Sequence, residues 1–326
     1  MNQTDRARGC LVGLAIGDAM GAPAENMTAE AIAARWGEVT GFLTDARSGT
    51  DDTEYAAFSA LLLLEHGSAL TSEHVADAWV EHLAGRTGGF PGAGFSELGT
   101  VENLRAGLRP PASGEHVHSW SDGLAMRAAV HGVFAASDPA EAARLAAVDG
   151  AVSHSGEGVY AGQAVAAAVA TAMSGADVET IVDAAVQVVP ADSWTAQALI
   201  QARVCVENAV RSGRSLDVPA LLEALVTRRY PWTDLGPEAV GLAFAAFIAG
   251  DGRFDTVVPR AVSMGRDADT TAAISGALAG ALCGHGSIPP EWVEIGPVTG
   301  RCLGDVVRGL MLSDLAERLV EVHDAE

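Results

Sequence analysis

The chain has 326 residues, 49% of them hydrophobic, and its 42 acidic and 20 basic residues give a formal net charge of -22. Such an acidic surface repels phosphate backbones and anionic lipids, so extended nucleic-acid binding and membrane adhesion are disfavoured. Every basic residue is an arginine. The absence of lysine excludes Schiff-base chemistry, a P-loop lysine and a lysine general base.

The sequence carries no targeting or membrane signal. No apolar run approaches the roughly 18–20 residues of a membrane span, and Met1–Arg8 is polar where a signal peptide would be apolar. We therefore expect a cytoplasmic protein. The four cysteines stand far apart, so the chain lacks the C-x-x-C pairs typical of thiolate zinc sites.

Alanine and leucine recur at three- and four-residue spacing, which is typical of buried helices. The clearest stretches are Ala56–Glu65, Leu124–Ala136, Ala161–Met173, Ala196–Val210 and Ile274–Leu282. Val39–Leu43 is the nearest approach to a strand and fits a loop equally well. The sequence predicts an all-α, compact multi-helix fold, with residues 1–326 forming one domain.

Glycines recur every four residues in two helical stretches. They are Gly9, Gly13, Gly17 and Gly21, and again Gly276, Gly280 and Gly284. Outside a membrane this spacing indicates helices whose backbones pack closely. Two Gly/Pro-containing segments, Gly85–Gly94 and Arg109–Ser119, are expected to be loops that border a binding site.

Four sites place oxygen-bearing side chains ahead of a helical pattern, as helix N-termini do. They are Thr50–Thr53, Ser121–Asp122, Ser137–Pro139 and Asp267–Thr270. The first and the last each hold two carboxylates beside a threonine. Crowded carboxylates repel one another unless a cation or proton compensates. If the two turns converge, they offer hard oxygen ligands for Mg²⁺, Mn²⁺ or Ca²⁺, whereas two well-capped helices on an acidic surface are the simpler alternative.

A third acidic segment strengthens the metal hypothesis. Asp18 is flanked by glycine near the end of an apolar helix, and Pro23 then turns the chain and leaves Glu25 on a loop. The small residues Thr271–Gly284 after the second acidic turn favour a central helix that holds its N-terminus rigidly.

These segments resemble the ADP-ribosylglycohydrolase family, whose members include the dinitrogenase-reductase-activating glycohydrolase and the ADP-ribosyl-acceptor hydrolases. The motifs that carry the resemblance are GLAIGDAMGAPAE (Gly13–Glu25), GTDDTEYA (Gly49–Ala56), SDGLAMR (Ser121–Arg127), SHSGEGVYAGQAVAA (Ser153–Ala167) and GRDADTTAAISGALAGA (Gly265–Ala281). They follow the family's order over nearly the whole chain. The resemblance implies a metal-dependent hydrolase that cleaves an ADP-ribosyl bond at ribose C1″ and releases ADP-ribose.

The resemblance also implies a central cleft with two Mg²⁺ or Mn²⁺ ions. Their ligands would be Thr50, Asp51, Asp52, Asp267, Asp269 and Thr270. It places Glu25 near the scissile ribose, and Glu25 and Asp52 remain alternative general bases. The expected substrate contacts are Ser121, Asp122, Gly123, Met126, Arg127 and His154. Where many members have glycine and asparagine, this chain has Arg266 and Asp122, which bears on the choice of substrate.

Two further substrate contacts follow from residue chemistry. Gly89 and Gly92 of the glycine-rich loop are expected to hold the diphosphate through backbone N–H groups. Trp120 is the tryptophan placed to stack on adenine. His116 and His118 lack a nearby third ligand, so we interpret them as loop histidines rather than metal ligands.

Three alternative functions were weighed. A haloacid-dehalogenase-like phosphatase would explain Asp267–Thr271, but it requires strand-helix alternation and usually a downstream lysine. A hydrolase of a small ribosyl or nucleoside derivative on the same fold remains open. A non-enzymatic ADP-ribose-binding or crystallin-like scaffold also remains, although all six expected ligand positions are filled. The expected partner is an ADP-ribosylated protein or a small ADP-ribose-type molecule.

Overall fold

The computed structural model describes residues 1–86, 94–227, 230 and 232–325. Within these residues the chain forms fifteen α-helices and no strand. The helices are α1 (Gln3–Gly21), α2 (Ala29–Trp36), α3 (Asp51–His66), α4 (Ser72–Trp79), α5 (Phe95–Arg105), α6 (Ala129–Phe134), α7 (Pro139–Gly150), α8 (Glu157–Met173), α9 (Val178–Gln187), α10 (Trp194–Arg211), α11 (Val218–Leu225), α12 (Gly236–Ala249), α13 (Phe254–Ser263), α14 (Ala268–Cys283) and α15 (Leu312–Ala325). The prediction of an all-α protein is confirmed.

The pair formed by α1 and α14 is the most extensive helix contact among the described residues. The two helices run antiparallel, so Gly9 lies against Gly280 while Gly17 lies against Ala272. A Cβ atom at Gly17 would stand 2.0 Å from the Ala272 carbonyl oxygen. The four-residue glycine spacing therefore allows the backbone contact that the sequence predicts. It also brings the carboxyl end of α1 to the amino end of α14.

Small side chains dominate the core around this pair. Helices α8, α12 and α14 are buried on most of their surface because alanine, glycine and valine fill successive turns. α15 and α3 pack on the same core, and the amino-terminal helix contacts the carboxyl-terminal one. None of the helices in the described ranges has the length and apolar character of a membrane-spanning segment.

One predicted helix is shorter than expected. Leu124–Ala136 forms a 3-10 turn at Ala125–Arg127 and the short helix α6 rather than one continuous helix. The predicted helix start at Ser121–Asp122 is wrong, because the Asp122 N–H bonds the Asp234 carbonyl and Ser121 bonds other side chains. Val39–Leu43 is a loop. The other three predicted starts are confirmed, at the first turns of α3, α7 and α14.

Candidate active site

Three helix ends meet at one point and bring carboxylates together. Asp18 lies in the last turn of α1, Asp52 in the first turn of α3, and Asp269 in the first turn of α14. Each of these aspartates offers a carboxylate oxygen, and the three oxygens lie within 4.8 Å of one another. All three side chains are buried. The convergence of the two acidic turns is therefore present in the structure.

Asp18 links α1 to the start of α3. Its Oδ2 accepts hydrogen bonds from the backbone N–H groups of Thr50 at 2.7 Å and Thr53 at 3.0 Å. The Thr50 hydroxyl donates to Oδ1 at 2.8 Å, and the Thr53 hydroxyl donates to Oδ2 at 2.5 Å. A side chain from another helix thus takes the part that an N-cap residue usually plays. The first turn of α3 is fixed relative to α1 by four bonds.

A cavity of 480 Å³ opens beside this point. Its lining is strongly acidic: the carboxylates are Glu25, Asp51, Asp52, Glu97, Asp122, Asp234, Asp267 and Asp269. Arg301 is the single basic residue among the described residues that line it. No histidine or cysteine lines the cavity in the described part of the chain, so its donor set consists of oxygen.

Burial and mutual repulsion raise the pKa of two of these acids, Asp52 and Asp269. Burial raises the pKa of Asp52 well above its ordinary value, and the neighbouring Asp18 and Asp269 raise it further. Burial also raises the pKa of Asp269, with Asp267 adding to the effect. A divalent cation would reverse this repulsion, because it stabilises the ionised form of every carboxylate around it.

Several carboxylate oxygens at the cavity have no hydrogen-bond partner although they are buried. They are Asp52 Oδ1, Glu97 Oε1, Asp122 Oδ2, Asp234 Oδ1 and Asp269 Oδ1. A buried polar atom without a partner costs free energy, so such atoms mark places where an ion, water or ligand binds. Hard oxygen donors in this number suit Mg²⁺ or Mn²⁺ better than zinc, which favours histidine and cysteine.

Most of the expected site residues lie at this cavity. The six expected metal ligands all line it: Thr50, Asp51, Asp52, Asp267, Asp269 and Thr270. Glu25 also lines it, and its exposed side chain accepts a hydrogen bond from Asn26 at 2.9 Å. Of the expected substrate contacts, Ser121, Asp122, Gly123 and Met126 belong to the lining. Gly89 and Gly92 lie outside the described residues.

Three residues expected at the substrate lie elsewhere. Arg127 is 1% exposed and pairs with Asp149 beneath the cavity, so it is not part of the lining. His154 is buried behind Ser121, whose hydroxyl lies 3.1 Å from His154 Nε2. Trp120 is exposed and packs against Trp194, with ring centroids 6.2 Å apart. None of the three is among the residues that line the cavity.

Other lining residues were not expected from the sequence. Glu97 lies in the first turn of α5, Asp234 lies in the loop before α12, and Arg301 lies in the segment before α15. Phe95 and Trp232 form an aromatic pair at the rim, with ring centroids 5.9 Å apart. No local pattern distinguishes these residues, because distant segments bring them together. Only the glycine-flanked Asp18 carried a recognisable signal.

A buried glutamate positions Arg301. Glu54, one turn after Asp51 on α3, accepts hydrogen bonds from the Thr299 hydroxyl and from the backbone N–H groups of Arg301, Cys302 and Leu303, at 2.6–2.9 Å. These four bonds hold residues 299–303 against the acidic turn. The backbone of Arg301 is therefore fixed beside the cavity.

Arg266, one of the two departures noted in the sequence, lies outside the lining. Its guanidinium donates to Glu238 Oε1 at 2.6 Å and to the Trp232 carbonyl at 3.4 Å. Arg266 therefore supports the loop that carries Trp232 and Asp234. Asp122, the other departure, lines the cavity directly, and burial followed by repulsion from Asp234 raises its pKa well above the ordinary value.

The chain is similar to known proteins over almost its whole length. An uncharacterized protein from Archaeoglobus fulgidus is 30% identical over 343 residues, which cover 98% of this chain and 97% of that protein. A solved structure described as an ADP-ribosylglycohydrolase-related protein complex shares the fold, with a TM-score of 0.65, 23% identity and 99% of each chain covered. The family model for ADP-ribosylglycohydrolase matches residues 1–325. This chain therefore belongs to the ADP-ribosylglycohydrolase family.

Proposed function

We propose that this protein is a metal-dependent hydrolase that cleaves the bond at ribose C1″ of an ADP-ribosylated substrate and releases ADP-ribose. The observation that carries the proposal is the convergence of Asp18, Asp52 and Asp269 from three helix ends, with Asp52 and Asp269 lining one acidic cavity. Family membership makes the protein a glycohydrolase in general terms. The metal, the substrate and the role of each residue belong to the proposal.

The proposed ligands of two Mg²⁺ or Mn²⁺ ions are the six residues at the two acidic turns. They are Thr50, Asp51, Asp52, Asp267, Asp269 and Thr270, all at the cavity. When bound, such ions would neutralise the carboxylates, polarise ribose hydroxyls and lower the pKa of a bound water. Asp18 would orient the first turn, since its four hydrogen bonds fix Thr50 and Thr53.

The two alternative general bases differ in their surroundings. Asp52 is buried beside Asp18 and Asp269, whereas Glu25 stands at the exposed rim. We assign proton transfer to Glu25, because an exposed carboxylate on a loop can exchange its proton with solvent after each turnover. Cleavage at C1″ develops positive charge on the ribose ring, and the surrounding carboxylates would stabilise that charge electrostatically.

The rim suits the remainder of an ADP-ribose molecule. Phe95 and Trp232 are 49% and 40% exposed, and their faces offer stacking for a purine. Arg301 supplies a positive charge in an otherwise acidic lining, which suits a phosphate group.

We propose that residues 1–326 form one domain, because α1 packs against α15 and both lie on the same core.

The experiment incubates the purified protein with ADP-ribosyl-arginine and ADP-ribosyl-serine peptides, ADP-ribose 1″-phosphate and free nucleosides. Each reaction is run with Mg²⁺, with Mn²⁺ and with excess chelator. We expect release of ADP-ribose from at least one ADP-ribosylated compound, abolished by chelator and restored by metal. Asp269→Asn should lower turnover strongly, whereas the matched variant Asp255→Asn, at an exposed acid on α13, should not.

Two results would replace the proposal. Cleavage of nucleosides alone would assign the fold to a small ribosyl substrate. Binding of ADP-ribose without turnover of any compound would indicate a scaffold. Metal-independent release of ADP-ribose would retain the hydrolase and refute the metal site.

A further inference from the structure

A buried ion pair lies beneath the cavity. Arg127 Nη2 lies 3.1 Å from Asp149 Oδ1, and the side chains are 1% and 2% exposed. His131 Nε2 and the Ser59 hydroxyl lie 3.3 and 2.6 Å from Asp149 Oδ2. Burial alone would raise the pKa of Asp149, but Arg127 and His131 outweigh it and hold this pKa well below its ordinary value. The pair is therefore a fixed charged anchor.

Hydrogen bonds lead from this anchor toward the cavity in one direction. Arginine can only donate, so the Ser153 hydroxyl accepts from Arg127 Nη2 at 2.9 Å. Its single proton is then available for His154 Nδ1, which lies 2.7 Å away. In this arrangement His154 Nδ1 accepts the Ser153 proton, and a neutral ring then carries its own proton on Nε2. Burial, with the nearby Arg127, lowers the pKa of His154 well below its ordinary value, which agrees with a neutral ring.

The hydrogen bonds continue in the same donor-to-acceptor order from His154 to the carboxylate of Glu97. His154 Nε2 lies 3.1 Å from the Ser121 hydroxyl, which donates to the Ser96 hydroxyl at 2.8 Å. Ser96 in turn donates to Glu97 Oε2 at 2.8 Å. Each hydroxyl accepts from the group before it, Ser121 also from the Gly123 N–H at 3.4 Å, and donates its one proton onward, so the chain ends on an acceptor. Three distant parts of the sequence, at 96–97, 121 and 153–154, contribute to it.

The last side chain of the hydrogen-bond chain lines the cavity, and one of its oxygens is buried without a partner. Glu97 is 2% exposed and lines the cavity, and its Oε1 has no hydrogen-bond partner. Gly123 fits closely beside it, since a Cβ at that position would stand 2.4 Å from Glu97 Oε1 and 3.3 Å from the His154 ring. Glu97 is therefore hydrogen-bonded at Oε2 and has no hydrogen-bond partner at Oε1.

We propose that Arg127, Ser153, His154, Ser121 and Ser96 are positioning residues that hold Glu97 with its Oε1 turned into the cavity, where it accepts an N–H or O–H of the bound substrate. The inference rests on the proposed function for the identity of that substrate. It gives Arg127 and His154 an indirect role in place of the direct substrate contact expected from the sequence. The donor chain occupies Glu97 Oε2 and leaves Oε1 as the oxygen that can accept from the substrate.

The first test is spectroscopic and needs neither substrate nor a variant. The full-length protein, labelled with ¹⁵N-histidine and assigned through its backbone, is measured near pH 7. We expect His154 to be neutral, with its proton on Nε2 and none on Nδ1. A proton on Nδ1, or a doubly protonated ring, would reverse or break the chain and overturn the proposal.

The second test compares single and double variants in turnover. Ser96→Ala and Glu97→Gln should each lower kcat/KM roughly 10- to 100-fold, as expected for loss of a charge-assisted hydrogen bond. The double variant should be no worse than Glu97→Gln alone by more than roughly 2-fold, because Ser96 acts only through Glu97. Ser59→Ala is the matched control, since it removes an equally buried hydroxyl from Asp149 outside the chain.

The two tests separate the inference from the proposed function. Fully multiplicative losses in the double variant, or a loss in Ser59→Ala equal to that in Ser96→Ala, would show general structural damage and overturn the inference. Absence of turnover with every compound would instead defeat the proposed function. In that case the position of the ring proton on His154 would test the hydrogen-bond chain without any activity measurement. The same holds if Ser96→Ala does not fold.

Discussion

Asp18 and Thr53 are joined twice, because both the N–H and the hydroxyl of Thr53 donate to Asp18 Oδ2, at 3.0 and 2.5 Å. These bonds connect the end of one helix to the start of another across 35 residues of sequence. The acidic turn that the function requires is thus held by a residue that also belongs to the acidic cluster. The proposed metal site therefore predicts that stability and metal binding are coupled at Asp18.

Replacing Asp18 should therefore affect both properties. Asp18→Ala removes four accepted hydrogen bonds and should lower the free energy of unfolding by about 1–2 kcal/mol or more, the range for loss of a helix cap. It should also reduce the stabilisation by Mg²⁺, because bound metal stabilises the folded state by mass action. Urea unfolding with and without Mg²⁺ measures both effects.

The control is Asp138→Ala. Asp138 is the ordinary N-cap of α7, where its side chain accepts from the Glu141 N–H at 3.0 Å. Its loss should cost about 1 kcal/mol while the Mg²⁺-dependent stabilisation stays at the wild-type value. Equal Mg²⁺ effects in Asp18→Ala and wild type would show that Asp18 is only a helix cap.

The contact between α1 and α14 should tolerate no added methyl group. In Gly17→Ala the new Cβ would stand 2.0 Å from the Ala272 carbonyl oxygen, so the helices must separate and the acidic ends move apart. We expect destabilisation of about 1–3 kcal/mol or more, with loss of activity. Thermal unfolding and turnover measure these effects. Gly286→Ala is the control, since its Cβ meets no atom within 4 Å.

Stability should depend on pH through His154. The folded state holds this ring neutral, because burial and Arg127 lower its pKa, whereas the unfolded chain protonates it near the ordinary value of 6.5. Protons therefore bind the unfolded state preferentially as the pH falls below about 6.5, and stability is lost by up to about 1.4 kcal/mol per pH unit. Above a pH of about 6.5, the stability that the neutral His154 ring contributes is fully present.

The variant His154→Gln separates the pH dependence of stability due to His154 from that of the other titratable groups. The variant should be less stable than wild type at pH 8, because it breaks the buried hydrogen bonds to Ser153 and Ser121. The difference should shrink between pH 7 and pH 5, as only the wild type has this histidine to protonate on unfolding. Urea titrations at several pH values measure it. A difference that is constant with pH would mean that folding does not lower the pKa of His154.

The sequence predicted the site better than its surroundings. Thr50–Thr53 and Asp267–Thr270 carry an unusual density of carboxylates, and helix starts are local features that a short stretch can reveal. The four-residue spacing of the glycines in α1 and α14 likewise indicates that the backbones of these helices lie close together. These signals placed the acidic turns and predicted tight helix packing.

Contacts between residues that are far apart in the sequence left no such signal. Arg127 follows a motif that suggests a substrate loop, but its partner Asp149 stands 22 residues further on, and their burial decides its position. Glu97 and Arg301 resemble any surface charges when read alone. The break in Leu124–Ala136 likewise depends on the bond between Asp122 and Asp234. Side chains whose partners come from distant segments cannot be assigned from periodicity.

Arg301 should affect substrate binding more than the chemical step. Arg301→Gln removes the one positive charge among the described lining residues and should raise KM roughly 10-fold or more, the effect of losing a charge-assisted hydrogen bond to phosphate. The value of kcat should change little. Steady-state kinetics on the best ADP-ribosylated substrate measures both, with Arg211→Gln on α10 as the exposed control. A fall in kcat at unchanged KM would contradict this role.

Binding of Mn²⁺ tests the central claim most directly, because it requires no knowledge of the substrate. Free Mn²⁺ is followed by electron paramagnetic resonance as metal-free protein is titrated. The account predicts two bound ions per wild-type chain and an affinity lowered roughly 10-fold or more in Asp269→Asn, with Asp255→Asn unchanged. Binding in Asp269→Asn that matches the wild type in number and affinity would contradict the site.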